Sequence, residues 1–126
     1  MAEGDALAGL AARSIALARV AIGVSATVAP GLVGRLQFDS SAQETRIVVR
    51  MLGARDLALG VGALLAARHG SPGLRGWVEA GGFADGVDAA AFLRAQPGDA
   101  RRRRLTAMVA ASSAIVSAWA ARNLDD

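Results

Sequence analysis

The chain contains no cysteine, tyrosine or lysine, and only one histidine, two tryptophans and three phenylalanines among 126 residues. Without cysteine there are no disulfides, thiolate metal sites or cysteine nucleophiles, and the redox compartment is unmarked. The single histidine, His69, sits at a helix end beside Gly70 with no second histidine or cysteine, so no metal site is expected. Aromatic residues make up 4% of a chain that is 53% hydrophobic, so its apolar character comes from small and aliphatic side chains, which suit helices better than sheets. Exclusive use of arginine, together with alanine at nearly every optional position, reads as codon bias in a GC-rich genome.

A net charge of +3 with an isoelectric point near 11.2 raises nucleic acid as a partner. No basic face with interleaved aromatics occurs, and the one arginine cluster, Arg101 to Arg104, stands alone, so nucleic acid is not expected. Gly60-Val-Gly62 lacks the strand-turn-helix context of a phosphate loop, and no cofactor is expected. The length suits one domain with a real core and no room for separate cofactor and substrate domains.

Punctuation divides the chain into four helices, at about 5–29, 42–68, 72–96 and 100–122. Pro30-Gly31 closes the first and leads into a short loop. Ser41-Ala-Gln-Glu44 has the spacing of a capping box and opens the second. Ser71 with Pro72 opens the third, which ends before Pro97-Gly98, and Asp99 caps the fourth. Short loops make neighbouring helices antiparallel, so the expected fold is all-α, a four-helix up-down-up-down transmembrane bundle.

Lipid is favoured over water as its solvent. Leu105 to Ala121 is a run of 17 residues without a charge, and the other segments are apolar around most of their perimeters. Small residues recur every fourth position in Gly82-x-x-x-Gly86, Ala54-x-x-x-Ala58 and Ala110-x-x-x-Ala114-x-x-x-Ala118, which lets membrane helices approach closely. Chance spacing in an alanine-rich chain and a soluble all-α interaction module are the competing readings. A signal peptide cored by Val20 to Val28 is disfavoured by Glu3 and Asp5 ahead of it and Arg19 close by. Arg35, Arg46, Arg50, Arg94 and Arg101 to Arg104 crowd the end holding the first and third loops, against Arg68, Arg75 and Arg122 at the other. The positive-inside rule then makes the Arg101 end cytoplasmic and places both termini outside in a multi-pass cell-membrane protein. Trp77 and Trp119 near helix ends suit either interfacial anchoring or core packing.

Against this apolar background the charged residues at mid-helix stand out. With a rise of about 1.5 Å per residue, Arg19, Arg55 and Asp85 lie roughly 20 Å from the same end, Asp56 at about 18 Å and Asp88 at about 24 Å. Arg13 and Glu79 form a shallower level at about 10 Å. Asp85 and Asp88 share a helix face, whereas the neighbours Arg55 and Asp56 are about 100° apart and should look to different helices. The expected pairing joins Arg55 to Asp85 or Asp88 and Asp56 to Arg19. Buried charges of this kind mark either a salt-bridge network fixing helix register or a functional site. As a site, Arg55, Asp56, Arg19 and Arg13 form a ligand-binding or structural network. Asp85, Asp88 and Glu79 are the catalytic candidates if the protein is an acid-base enzyme, of isomerase or cyclase type, on an apolar substrate. Ser112, Ser113 and Ser117 have no histidine to activate them and read as helix-packing hydroxyls.

The run Gly53-Ala-Arg-Asp-Leu-Ala-Leu-Gly-Val-Gly62, with Arg75-Gly-Trp-Val-Glu-Ala-Gly and Ala84-Asp-Gly-Val-Asp88, resembles a widespread group of small actinobacterial integral membrane proteins, distantly similar to DoxX-like proteins. The resemblance extends to Arg19-Val-Ala-Ile-Gly and Ala29-Pro30 and implies four membrane helices of unknown function, with no catalytic residues to place. The expected role is that of a small membrane protein in contact with membrane lipids, binding a lipid-like apolar small molecule, a membrane-protein partner or a second copy of itself.

Overall fold

In a computed structural model, which describes residues 2–69, 73–94 and 99–124, all regular structure is helical and no strand occurs among the described residues. Five helices follow one another: α1 Ala2–Val28, α2 Pro30–Phe38, α3 Gln43–Arg68, α4 Gly73–Arg94 and α5 Ala100–Arg122.

The additional helix is α2, in the segment expected to be a loop after Pro30-Gly31. Ala29 leaves helical geometry at φ −124° and ψ 55°, which ends α1, and Pro30 then sits in the first turn of α2, where its missing N–H and fixed φ favour a helix start. Asp39 ends α2 in the left-handed region at φ 54°, a conformation its short polar side chain tolerates better than most. The Ser41–Glu44 capping box does not form. Ala42 occupies the N-cap of α3 without a side-chain cap, and the hydroxyl of Ser40 instead accepts from the Ala42 amide at 3.2 Å and from Thr45 Oγ1 at 3.0 Å. Asp99 caps α5 through bonds from the Arg101 and Arg102 amides. Ser71, Pro72, Pro97 and Gly98 lie outside the described residues.

The helices pack as two close antiparallel pairs, α1 on α3 and α4 on α5, which meet through α1 with α5 and α3 with α4. The α1–α3 seam depends on glycine: a Cβ on Gly23 would lie 2.7 Å from the Gly53 carbonyl oxygen and the Leu57 amide, so the two backbones touch only because it is absent. Gly82 likewise faces Ser117 across α4–α5, but Gly86 meets nothing within 4 Å, so the expected Gly82–Gly86 pair does not form one packing face.

The interior is built of small residues. Ala8, Ala12, Ala16, Arg19, Gly23 and Ala26 are the buried positions of α1, one stripe at helical spacing. The large aliphatics Leu7, Leu10, Leu17 and Val24 of the same helix point outward, as do Leu105, Met108 and Ile115 of α5. A soluble helix shows the opposite arrangement. Two helices, Glu3–Val28 within α1 and Ala100–Arg122, are long and apolar enough to cross a membrane by length and composition. Both exceed the 20 or so residues needed to span roughly 30 Å of hydrocarbon. The other two long helices, α3 and α4, are long enough but are not among these two, and they carry Arg55, Asp56, Asp85 and Asp88, while Arg19 lies on α1.

Candidate functional site

Five of the seven charged residues singled out in the sequence converge where α1, α3 and α4 face one another. Arg19 reaches from α1 between the other two, donating Nη1 to Asp56 Oδ1 on α3 at 3.2 Å and Nη2 to Asp85 Oδ2 on α4 at 2.5 Å. Arg55 forms a fork with Asp88, at 3.1 Å from Nη1 to Oδ1 and 2.6 Å from Nη2 to Oδ2. Such paired contacts fix orientation as well as adding energy. Arg55 Nη2 also lies 3.3 Å from Asp56 Oδ1, so the two neighbours on α3 touch, although their Cβ directions differ by about 100°. The reach of the guanidinium closes that gap.

Two further residues complete the arrangement. Ser113 on α5 donates its hydroxyl to Asp85 Oδ2 at 2.5 Å, which brings the fourth long helix into the network. Gly81, one turn before Asp85, leaves room for the Arg19 guanidinium, whose atoms would lie 2.9–3.1 Å from a Cβ at that position. The Arg19–Asp85 half is the more secluded, with side chains 8% and 13% exposed, against 32% and 27% for Arg55 and Asp88. Arg55 Nε is buried and has no hydrogen-bond partner.

The network forms the polar wall of a cavity of about 240 Å³ whose other walls include Ile22, Val49, Leu52, Phe92 and Val109. A second cavity, of about 320 Å³, lies toward α2 and the start of α5 and shares Gln37, Leu52, Asp88 and Phe92 with the first. Asp88 therefore borders both. Phe38 and Phe92 stack at the second cavity with ring centroids 5.6 Å apart. At the same end Arg102 donates to the Arg35 carbonyl at 2.5 Å and to Asp39 at 3.2 Å, tying the α5 N-terminus to the C-terminus of α2.

The remaining candidates lie elsewhere. Glu79 is exposed on α4 and pairs with Arg75 one turn earlier at 2.9 Å, so it does not join the layer; its depth matched Arg13, but its direction around the helix does not face α1. Arg13 is exposed, has no ion pair among the described residues and borders a hollow with Leu64, Ala67 and Arg68. His69 is exposed at the C-cap of α3, and no group of residues suited to a metal ion occurs among the described residues. Trp77 packs against α3, its ring filling the space a Cβ on Gly62 would occupy. Ser113, expected as a helix-packing hydroxyl, bonds across α4–α5 to Asp85, a partner not expected from the sequence. One signal for it was available: with α5 antiparallel to α4, Ser113 falls beside Asp85 as Ser117 falls beside Gly82.

Comparison with protein-family models, with curated proteins and with solved structures finds no match for this chain.

Proposed function

We propose that α1, α3, α4 and α5 form an up-down-up-down transmembrane bundle that holds a lipid-like apolar molecule in the cavity bordered by the Arg/Asp network. The observation that carries this reading is the inverted distribution of side chains: Arg19 and Asp85 are 7% and 9% exposed while Leu10, Met108 and Ile115 are each more than 60% exposed. In water that arrangement wastes apolar burial; in hydrocarbon it is favourable on both counts. The cavity offers a ligand aliphatic walls and a polar end formed by the Arg/Asp network.

The arginine-rich end, where Arg102 secures α2, is assigned to the cytoplasm, with both termini outside. The sequence resemblance to small actinobacterial membrane proteins, distantly similar to DoxX-like proteins, supports the four-helix membrane reading. An acid-base enzyme acting on an apolar substrate is the second reading, favoured by the exposure of Asp88 to both cavities. Glu79 has no part in it, since it faces away from them.

Native mass spectrometry of the protein released from detergent tests the ligand reading. A retained small-molecule adduct that disappears in Leu52→Trp, which fills the space shared by the two cavities, is the expected result. An adduct-free protein, or an adduct indifferent to Leu52→Trp, contradicts it.

A further inference from the structure

The network is not electrically balanced. It contains two arginines, Arg19 and Arg55, and three aspartates, Asp56, Asp85 and Asp88. Among the described residues no other charged side chain borders the cavity: α2 contributes Val33 and Gln37, and α5 contributes Thr106, Val109, Ala110 and Ser113. With all five ionised the site carries one negative charge.

The geometry locates that excess. Arg55 is committed to Asp88 through both oxygens and also reaches Asp56 from Nη2, while Arg19 serves Asp56 and Asp85, so three carboxylates share two guanidiniums. Asp56 Oδ2 and Asp85 Oδ1 accept no hydrogen bond from any described residue, and both aspartates border the cavity. Opposite them are aliphatic side chains. Resting on the ligand reading above, we propose that the molecule held in this cavity is an amphiphile with a single positive charge, an alkylammonium head between Asp56 and Asp85 and a hydrocarbon tail against Ile22, Val49 and Val109. A monocation makes the buried site neutral, whereas an anion would double its charge imbalance. Arg55 does not reverse this preference, because both its terminal nitrogens are engaged and only Nε is left.

A matched series with one tail and three heads tests the proposal: octylammonium, octanol and octanoate, titrated at neutral pH into the protein in a non-ionic detergent and followed by calorimetry. Octylammonium is expected to bind at least tenfold more tightly than octanol, with octanoate weakest. In Asp56→Asn and Asp85→Asn the network is neutral without a ligand, and the advantage of the ammonium head should vanish while octanol binding persists. Octanol binding as well as octylammonium to the unaltered protein overturns the proposal, since the missing charge is then supplied otherwise. Octanoate binding best overturns it too and makes Arg55 the anchor. Failure of all three to bind counts against the ligand reading itself.

Discussion

Arg19 and Asp85 meet across the bundle from α1 to α4 at 2.5 Å, although 66 residues separate them in sequence, and each is among the few buried polar residues. Helices α1 and α4 are not one of the close pairs; this contact spans between the pairs. Removing Arg19 leaves Asp85 buried with only the Ser113 hydroxyl, so Arg19→Ala should cost about 3–5 kcal/mol. Asp85→Ala leaves Arg19 paired with Asp56 and should cost less. The double variant should cost less than the sum of the two, a coupling measurable by unfolding in mixed micelles. Additive losses would show that the pair is not a unit.

Ser113 and Ser117 lie one turn apart on α5 and should respond in opposite ways. Ser113→Ala removes a hydrogen bond to a carboxylate and should destabilise by about 1.5–3 kcal/mol. Ser117 Oγ is buried without a partner, so Ser117→Ala relieves an unsatisfied hydroxyl and should be neutral or stabilising by about 1 kcal/mol. The same unfolding measurement on the two variants checks the contrast.

Glycine to alanine changes separate the packed seam from the outer surface. Gly23→Ala drives a methyl into the Gly53 carbonyl and should abolish the close approach of α1 and α3, visible as loss of folded protein on size exclusion. Gly86→Ala meets nothing within 4 Å and should raise stability by about 0.5–1 kcal/mol through helix propensity alone.

Glu79 provides a control for the network. Its pair with Arg75 is exposed and lies within one helix, so Glu79→Gln should change stability by less than about 1 kcal/mol. If the second, enzymatic reading holds, Glu79→Gln should also leave activity intact while Asp88→Asn removes it. An activity assay on both variants would show an effect of Glu79→Gln if that residue reached the site by another route.

The absence of cysteine makes orientation readable with single introduced thiols. Gln43 and His69 are exposed at opposite ends of α3. With an impermeant maleimide on intact cells, His69→Cys should be modified and Gln43→Cys protected until the membrane is opened. The reverse pattern would invert the assigned topology.

Helical class and the composition of the charged layer were legible in the sequence because both follow from one-dimensional spacing. Arg19, Arg55 and Asp85 share a depth that can be counted from helix ends, and the pairing of Arg55 with Asp85 or Asp88 and of Asp56 with Arg19 follows from directions about 100° apart on α3. Around-the-axis direction was harder. Glu79 matched Arg13 in depth, yet the two helices turn them to separate surfaces, a fact set by packing at Gly81 and Trp77 that no count reveals. The α2 helix was hidden because Pro30 both ends one helix and starts another. Asp39 was equally ambiguous, since a left-handed residue after a helix looks in sequence like any loop aspartate. The partner of Ser113 was not legible because a hydroxyl carries no periodicity of its own; only the antiparallel register of α4 and α5 identifies it.

The central claim, that the apolar surface faces lipid and the charged layer is its protected interior, is tested most directly by alkaline carbonate extraction of membranes from cells expressing the tagged chain. Retention in the pellet is the predicted result, for the unaltered protein and for Glu79→Gln alike. Release into the supernatant as a folded protein would contradict the account, leaving Leu10, Met108 and Ile115 to be covered by another protein surface.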